Sequence, residues 1–458
     1  MHPNGVPQAA YAPRKPAQSP LYRVVKAHAL AYRQSYPERF EERFGPLRPV
    51  VHEVLEKYLA CGQPEYGMAR IRCASCGYDT FLPFSCKTRY FCPSCTQKRS
   101  RVWGEWLCGR VLRCVPHRHW VLTIPRILRP LFCRERRLLQ VILDAARDAL
   151  LEGYARAGGG KPVRPGVVLA LQTFGELINW HPHVHALVTE GGFDESGTFH
   201  PLYRLDPGSV MLLFRERIFE ALLAKRRISE RLVWRMRHWR HSGFSAHREG
   251  RLEGGQVDAL QRVARYLGHP SFSQERIRTV PHTGAVIYRC DRIHAVRKRN
   301  FEVFDGVGFL HQLCLHIPDP WESLVRYLGF YASAARGKRC KDGVVEPLGL
   351  DMPDDGVPPV FLEDPSGPRR SRSWARMIRR VYGVDPLLCP RCQGQMRIIA
   401  FILDPDEIAH ILRHLRLLGR RAGAEEGAPA GPARASPLLD TLLARKTASA
   451  HLKGSHGL

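Results

Sequence analysis

Asn179-Trp-His-Pro-His-Val-His-Ala-Leu-Val-Thr-Glu190 is the stretch on which the rest of the chain turns. Side chains alternate across a β-strand, so a strand here sends His181, His183, His185 and Leu187 to one face. Val184, Ala186 and Val188 go to the other, which is small, apolar and β-branched, as a buried face should be. Imidazoles two residues apart on one face can converge on a metal ion. A histidine-rich surface strand without metal is the plainer reading. The run Gly166-Val-Val-Leu-Ala-Leu-Gln-Thr-Phe174 ends a few residues earlier and is also apolar, so the two are expected to pair as neighbouring strands.

Upstream, His117-Arg-His-Trp-Val-Leu-Thr-Ile-Pro125 reads as another strand, and residues 134–157 read as an amphipathic helix ending in Ala157-Gly-Gly-Gly160. A strand, a helix and two more strands make an α+β unit with a central antiparallel sheet. Lys161 follows the glycines but is itself followed by Pro162, so this is no phosphate-binding loop, and no nucleotide cofactor is expected. Downstream, residues 191–207 are turn-rich and residues 210–239 basic and helical. The segment Gly255–Gly268 then forms a helix with Val257, Leu260, Ala264 and Leu267 on one face. Tyr266 sits in its last turn, beside Arg265, a further candidate for contact with DNA. A tyrosine there is ordinarily a packed aromatic; only a metal–phosphate site beside it makes it a nucleophile. Residues 286–289 and 301–304 read as short strands, and residues 309–317 and 323–335 as helices.

Six of the 14 cysteines fall in three close pairs, which in a reducing compartment points to zinc rather than disulfides. Cys73-Ala-Ser-Cys76 and Cys92-Pro-Ser-Cys95 are two knuckles separated by 15 residues, the spacing of a tetrahedral zinc site, with Cys86 between them as a fifth candidate. Basic and aromatic residues surround them: Lys87, Arg89, Tyr90, Lys98, Arg99, Arg101, Trp103 and Trp106. That mixture suits phosphate contact and base stacking, or else a solvated basic face with core aromatics. Cys389-Pro-Arg-Cys392 is a third knuckle; His410 and His414 are its candidate partners in a second zinc site.

Lys and Arg number 70 against 43 Asp and Glu, a net charge of +27, so a polyanion is the expected partner. No apolar run approaches the roughly 18 residues of a membrane span and no signal peptide is evident, so a cytoplasmic, nucleoid-associated protein is expected.

These motifs stand in a fixed order. The knuckles precede Gln172–Glu190. Ala264-Arg-Tyr-Leu-Gly-His-Pro-Ser-Phe-Ser273, Arg299-Asn-Phe-Glu-Val-Phe304, Arg326-Tyr-Leu-Gly-Phe-Tyr331 and Asp385-Pro-Leu-Leu-Cys-Pro-Arg-Cys392 follow. The order resembles the rolling-circle transposases of insertion-sequence family 91 and the related insertion sequence common region elements, over residues 51–415. The resemblance implies an HUH (His-hydrophobic-His) endonuclease of single-stranded DNA. Its motif falls on His183-Val184-His185, with His181 an extra imidazole. Its nucleophile falls on Tyr266, and Arg262 four residues earlier makes this a single-tyrosine pattern. Magnesium or manganese is the implied catalytic ion, with Glu176, His181 and His269 as candidates for a third ligand. A 5′-phosphotyrosine intermediate and partners that are single-stranded element ends and target DNA are implied likewise.

The organisation expected is a flexible arm over residues 1–20 and a helical, zinc-binding DNA-recognition module over 21–108. An HUH-type nuclease domain over 109–340 and a linker over 341–372 follow. A C-terminal Cys-x-x-Cys module over 373–418 and a disordered tail over 419–458 complete it. A plasmid replication initiator or relaxase with the same chemistry, and a non-catalytic zinc-dependent DNA-binding protein, are the rival readings.

Overall fold

A computed structural model describes residues 15–88, 90–158, 163–202, 205–268, 271–291, 293, 298–341 and 385–415. Thirteen strands are found among the described residues. In chain order they are β1 (Met68–Cys73), β2 (Asp79–Pro83), β3 (His117–Thr123), β4 (Gly166–Phe174), β5 (Trp180–Thr189), β6 (Gly191–Phe193) and β7 (Phe199–Pro201). There follow β8 (Ser245–Leu252), β9 (Ile277–Thr279), β10 (Val286–Arg289), β11 (Phe301–Phe304), β12 (Val325–Gly329) and β13 (Met396–Ile402).

The histidine stretch is a strand, as its alternation requires. β5 lies at the centre of a five-stranded sheet ordered β12-β4-β5-β3-β8, antiparallel at every pairing. One face of the sheet carries Val184, Ala186 and Val188 with Trp120, Leu122, Val167, Leu169 and Leu171, all buried. Helices Leu139–Ala157, Pro207–Ala224 and Glu230–Arg237 cover it through residues such as Ile142, Phe214, Ile218 and Met236. Each such side chain removed from water contributes roughly 1.5–3 kcal/mol, so this layer holds the sheet. The opposite face carries Val168, Ala170 and Leu187. Trp103 from helix Pro93–Trp106 and Leu260, Ala264 and Leu267 from helix Val257–Leu267 pack against it.

Residues 323–335 were expected to be helical, yet Val325–Gly329 is the edge strand β12, paired with β4. Gly329 has φ +56, and a Cβ there would stand 2.0 Å from the Pro165 oxygen, a geometry no helix provides. The helix follows at Ser333–Lys341. β8 has no counterpart in the sequence reading. It is a charged, largely exposed edge strand, and such a strand shows no apolar alternation.

A second core gathers the N-terminal helices Pro20–Tyr36 and Pro49–Leu59, the sheet β11-β10-β9 and helix Gly306–Leu315. Arg48 donates to the carbonyls of Cys314 and Ile317, which closes the end of that last helix. The N-terminal helices therefore share one core with Cys61, Phe91 and Cys92 and with residues of the expected nuclease segment.

The chain divides into a unit over Met1–Ile402 and another over Leu403–Leu458. The expected C-terminal module is thus split: Cys389, Cys392 and β13 belong to the first unit. β13 pairs with β1 there, in a sheet ordered β13-β1-β2. The described part of the second unit is helix Pro405–His414, capped by Asp404, whose carboxylate accepts from the amides of Asp406 and Glu407. Of the expected arm, residues 1–14 lie outside the described residues, as do most of the expected linker and the tail beyond residue 415, while Pro16–Gln18 form a 3-10 turn that leads into helix Pro20–Tyr36. Among the described residues no helix is long and apolar enough to cross a membrane.

Candidate active site and cysteine clusters

His183 and His185 share the sheet face of Leu187, and both are buried, at 8 % and 3 % exposure. Their Nε2 atoms face each other at 2.9 Å. The hydrogen bonds around them set which nitrogens carry protons. His183 Nδ1 stands 2.7 Å from the His181 carbonyl, which can only accept, so Nδ1 carries the hydrogen. His119 Nδ1 stands 2.7 Å from a Glu249 carboxylate oxygen, so it too is a donor. A His119 ring that carries only that proton accepts at Nε2 from His185 Nδ1, 3.0 Å away. In that tautomer both facing Nε2 atoms keep lone pairs, an arrangement that repels itself unless a cation lies between them. A proton is poorly suited: burial lowers the pKa of His183, and burial with the neighbouring imidazoles lowers that of His185 to about 2. Two nitrogens on one ion at about 2.1 Å each stand about 3.0–3.4 Å apart, so the pair fits a divalent metal.

Neither His119 nor Glu249 was singled out from the sequence. Both depend on a register shift. β3 and β8 slip between Arg118 and Trp120, and the slip places Glu249 opposite His119. A carboxylate behind a histidine behind a ligand is the usual device for holding a metal-binding ring in one tautomer.

Tyr266 closes the site. The apolar face of its helix is pinned by Leu260, Ala264 and Leu267, and its backbone oxygen accepts from Gln172 Nε2 of β4 at 3.0 Å. The ring stands edge-on, 5.0 Å from His185 and 6.2 Å from His119 between centroids, and the residue is 49 % exposed. Burial, then the charges of Glu249 and Glu176, raises its phenol pKa, so the phenolate needs local positive charge to form. Tyr327 and Tyr331 have other work. Tyr327 Oη accepts from Trp103 Nε1 at 2.8 Å. Tyr331, fully buried, donates to His117 Nε2 at 2.8 Å and accepts from the Arg113 amide at 3.1 Å.

The expected third ligands fall differently. His181 offers its carbonyl to His183, with its ring 5.0 Å from that of His183. Glu176 acts on Tyr266 through charge alone, and His269 lies outside the described residues.

The helix carrying Tyr266 crosses helix Pro93–Trp106 closely. Ser100 Oγ donates to the Arg265 carbonyl at 3.0 Å, and a Cβ on Gly104 would stand 3.4 Å from Arg265 Cγ. Of the residues expected to meet DNA, Lys87, Arg99 and Arg265 are exposed, and Arg101, Tyr90 and Trp106 are half-buried. Lys98 is buried. Trp103 is also buried and bonded to Tyr327, which removes it as a stacking platform. Trp106 packs edge-on against Tyr327 with Arg336 over its ring. Arg89 lies outside the described residues.

The cysteines group otherwise than their spacing implied. Cys61, Cys86, Cys92 and Cys95 form one cluster, and Cys73, Cys76, Cys389 and Cys392 another, the sulfurs of each set lying within 4.8 Å of one another. The two N-terminal knuckles thus serve different clusters. The reason is the β1–β2 hairpin. Cys73 and Cys76 sit at its tip. Cys61 and Cys86 flank its base, where Gly62 donates to the Phe84 carbonyl. A strand of six residues at about 3.3 Å each holds tip and base roughly 17 Å apart. Cys61, alone in sequence, was not identified beforehand. No count marks it out, because it is one of eight cysteines outside the three knuckles. His410 and His414 are not needed, because Cys389 and Cys392 find their partners in Cys73 and Cys76.

The family model described as "Transposase zinc-binding domain" matches residues 31–124, and that described as "Putative transposase" matches residues 166–339. The chain is 29% identical over 414 residues to the transposase for insertion sequence element IS801 of Pseudomonas savastanoi pv. phaseolicola, covering 86% of this chain and 94% of the relative. It is 24% identical over 385 residues to "Putative transposase y4qJ" of Sinorhizobium fredii, covering 79% and 92%. No solved structure matches. The zinc-binding region contains the whole first cluster and half of the second, in keeping with structural zinc. With a zinc-binding and a transposase region matched in order and a relative aligned over most of the chain, the chain belongs to the transposases of insertion-sequence family 91.

Proposed function

We propose that this transposase is an HUH-type endonuclease that nicks single-stranded DNA at element ends through Tyr266 and joins the strand to new DNA in rolling-circle transposition. The observation that carries the reading is the placement of the Tyr266 ring 5.0 Å from that of His185, whose Nε2 faces His183 Nε2 at 2.9 Å. His183 and His185 would hold magnesium or manganese through these two nitrogens, and the ion would supply positive charge to polarise the scissile phosphate and favour the phenolate. His119 and Glu249 hold the His185 ring in the tautomer that leaves its Nε2 free. Gln172, through the Tyr266 carbonyl, holds the end of the helix against the sheet.

Tyr266 Oη bonds to the phosphorus, the P–O3′ bond breaks, and the 3′ oxygen leaves with a proton as a free hydroxyl. The product is a 5′-phosphotyrosine. One phosphodiester bond is exchanged for another, so attack by a new 3′-hydroxyl restores the tyrosine without a nucleotide cofactor. Exposed Lys87, Arg99 and Arg265 border the helices that carry the tyrosine and the knuckle, and they suit the phosphates of a strand laid along them.

Incubating the protein with manganese and a single-stranded element end tests the reading. A covalent protein–DNA adduct should form at Tyr266, mapped by mass spectrometry, and disappear in Tyr266→Phe and His183→Ala. An adduct on another tyrosine, or tight binding with no adduct, rejects it.

A further inference from the structure

We propose that Cys73, Cys76, Cys389 and Cys392 bind one zinc ion that clasps the C-terminal segment, residues 385–402, onto the N-terminal β1–β2 hairpin. The inference does not depend on the nicking reading. It is carried by geometry on both sides of a separation of more than 300 residues.

The sulfurs come first. Cys73 and Cys392 stand 3.5 Å apart and Cys76 and Cys389 3.6 Å apart. A tetrahedral zinc–thiolate site with bonds of about 2.3 Å has sulfur–sulfur edges of about 3.8 Å, whereas a disulfide bond is about 2.05 Å. The other cluster has edges of the same kind, 3.8 Å for Cys61–Cys92 and for Cys86–Cys95.

The two knuckles are also built alike. In the first, Gly77 donates to the Cys73 carbonyl and the Cys73 amide donates to the Tyr78 carbonyl. In the other, Gln393 donates to the Cys389 carbonyl and the Cys389 amide donates to the Gly394 carbonyl. Gly77 (φ +71) and Gln393 (φ +58) take the same left-handed conformation. Two like turns present two sulfurs each toward a common centre. β13 runs back from its knuckle antiparallel to β1, pairing Cys73 with Met396 and Met68 with Ile402.

The segment has little else to hold it. The core here consists of Ile71, Cys73, Cys389 and Met396, with Tyr78, Leu82, Leu387 and Ile398 partly buried around them. A core of this size does not offset the ordering of such a segment, and small cysteine-rich units of this kind take their folding energy from metal. One zinc ion is therefore closed within residues 61–95 and the other only when the end of the catalytic polypeptide has arrived.

Zinc content measured by mass spectrometry on the reduced full-length protein decides the first half. Two zinc per chain are expected. One is expected in Cys389→Ser/Cys392→Ser, and two again in Cys392→His, which keeps a ligand of a type zinc accepts. One zinc in the parent, or two in the double serine variant, overturns the site. A protease site inserted between residues 342 and 384 of the full chain decides the clasp. After cleavage the two fragments should stay together on gel filtration and separate on adding a chelator. The double serine variant should separate without chelator. Fragments that remain together after chelation show that zinc does not hold them, and the clasp is then rejected.

Discussion

Replacing His119 is the most discriminating perturbation of the active site, because this residue touches neither the phosphate nor the facing nitrogens. It accepts from His185 at 3.0 Å and donates to Glu249 at 2.7 Å. In His119→Ala the His185 Nδ1–H loses its partner in a site that is 3 % exposed, a cost of about 1–3 kcal/mol in stability. The ring is also freed to turn. Outer partners of metal-binding histidines typically contribute about 10–100-fold in metal affinity or activity, and that range is expected here. Glu249→Gln keeps an acceptor but exchanges a charge-assisted bond for a neutral one of roughly half the strength. The Glu249 side chain is 48% exposed, so solvent screens the difference and a loss of roughly 3–10-fold is expected. The assay is adduct formation on a single-stranded element end across a manganese titration, with thermal unfolding as the check on folding. Both variants should need more manganese for half-maximal rate and recover much of the parent rate at saturation. A folded His119→Ala protein with the parent's manganese dependence refutes the relay. Activity lost at every manganese concentration refutes it too, because it makes His119 a direct participant.

Three further outcomes follow from particular contacts. Tyr331→Phe should lower stability by roughly 2–4 kcal/mol, read by denaturant unfolding, because it leaves His117 Nε2 and the Arg113 amide without their bonds; its adduct at permissive temperature should still map to Tyr266. Gly104→Ala should be nearly silent, with its Cβ 3.4 Å from Arg265 Cγ. Gly104→Leu should push the two helices apart and slow adduct formation by about 10²-fold at unchanged zinc content, as displacing a nucleophile by about 1 Å can do. Arg99→Ala and Arg265→Ala should each reduce the salt dependence of single-strand binding by about 0.7 in the log–log slope if each meets one phosphate; an unchanged slope places that residue off the DNA path.

Much of the centre was legible because its signals are local. The alternation Val184, Ala186, Val188 against His183, His185, Leu187 needs only the period of a strand, and β4 and β5 fall where it places them. The helix bearing Tyr266 was legible from Val257, Leu260, Ala264 and Leu267 for the same reason. Edge strands were not. β8 is charged and exposed, and the segment of β12 also suits a helical period, through Val325, Leu328 and Tyr331. For β12 the deciding term is backbone pairing to β4, which no local pattern records.

By itself, the sequence determined which residues could do chemistry here: two imidazoles on one strand face, a tyrosine at a helix end, knuckles that want zinc, and a charge that wants DNA. Only the tertiary structure decided who meets whom. It sent Cys73 and Cys76 to Cys389 and Cys392 rather than to Cys92 and Cys95, because a stiff hairpin holds its tip and base apart. It brought Glu249 behind His119 through a one-residue slip in register, and it committed Trp103 and Tyr331 to the core, with Tyr327 packed against it. Chemistry-bearing residue types are a property of single positions, whereas a ligand set depends on distances closed by packing across the whole chain.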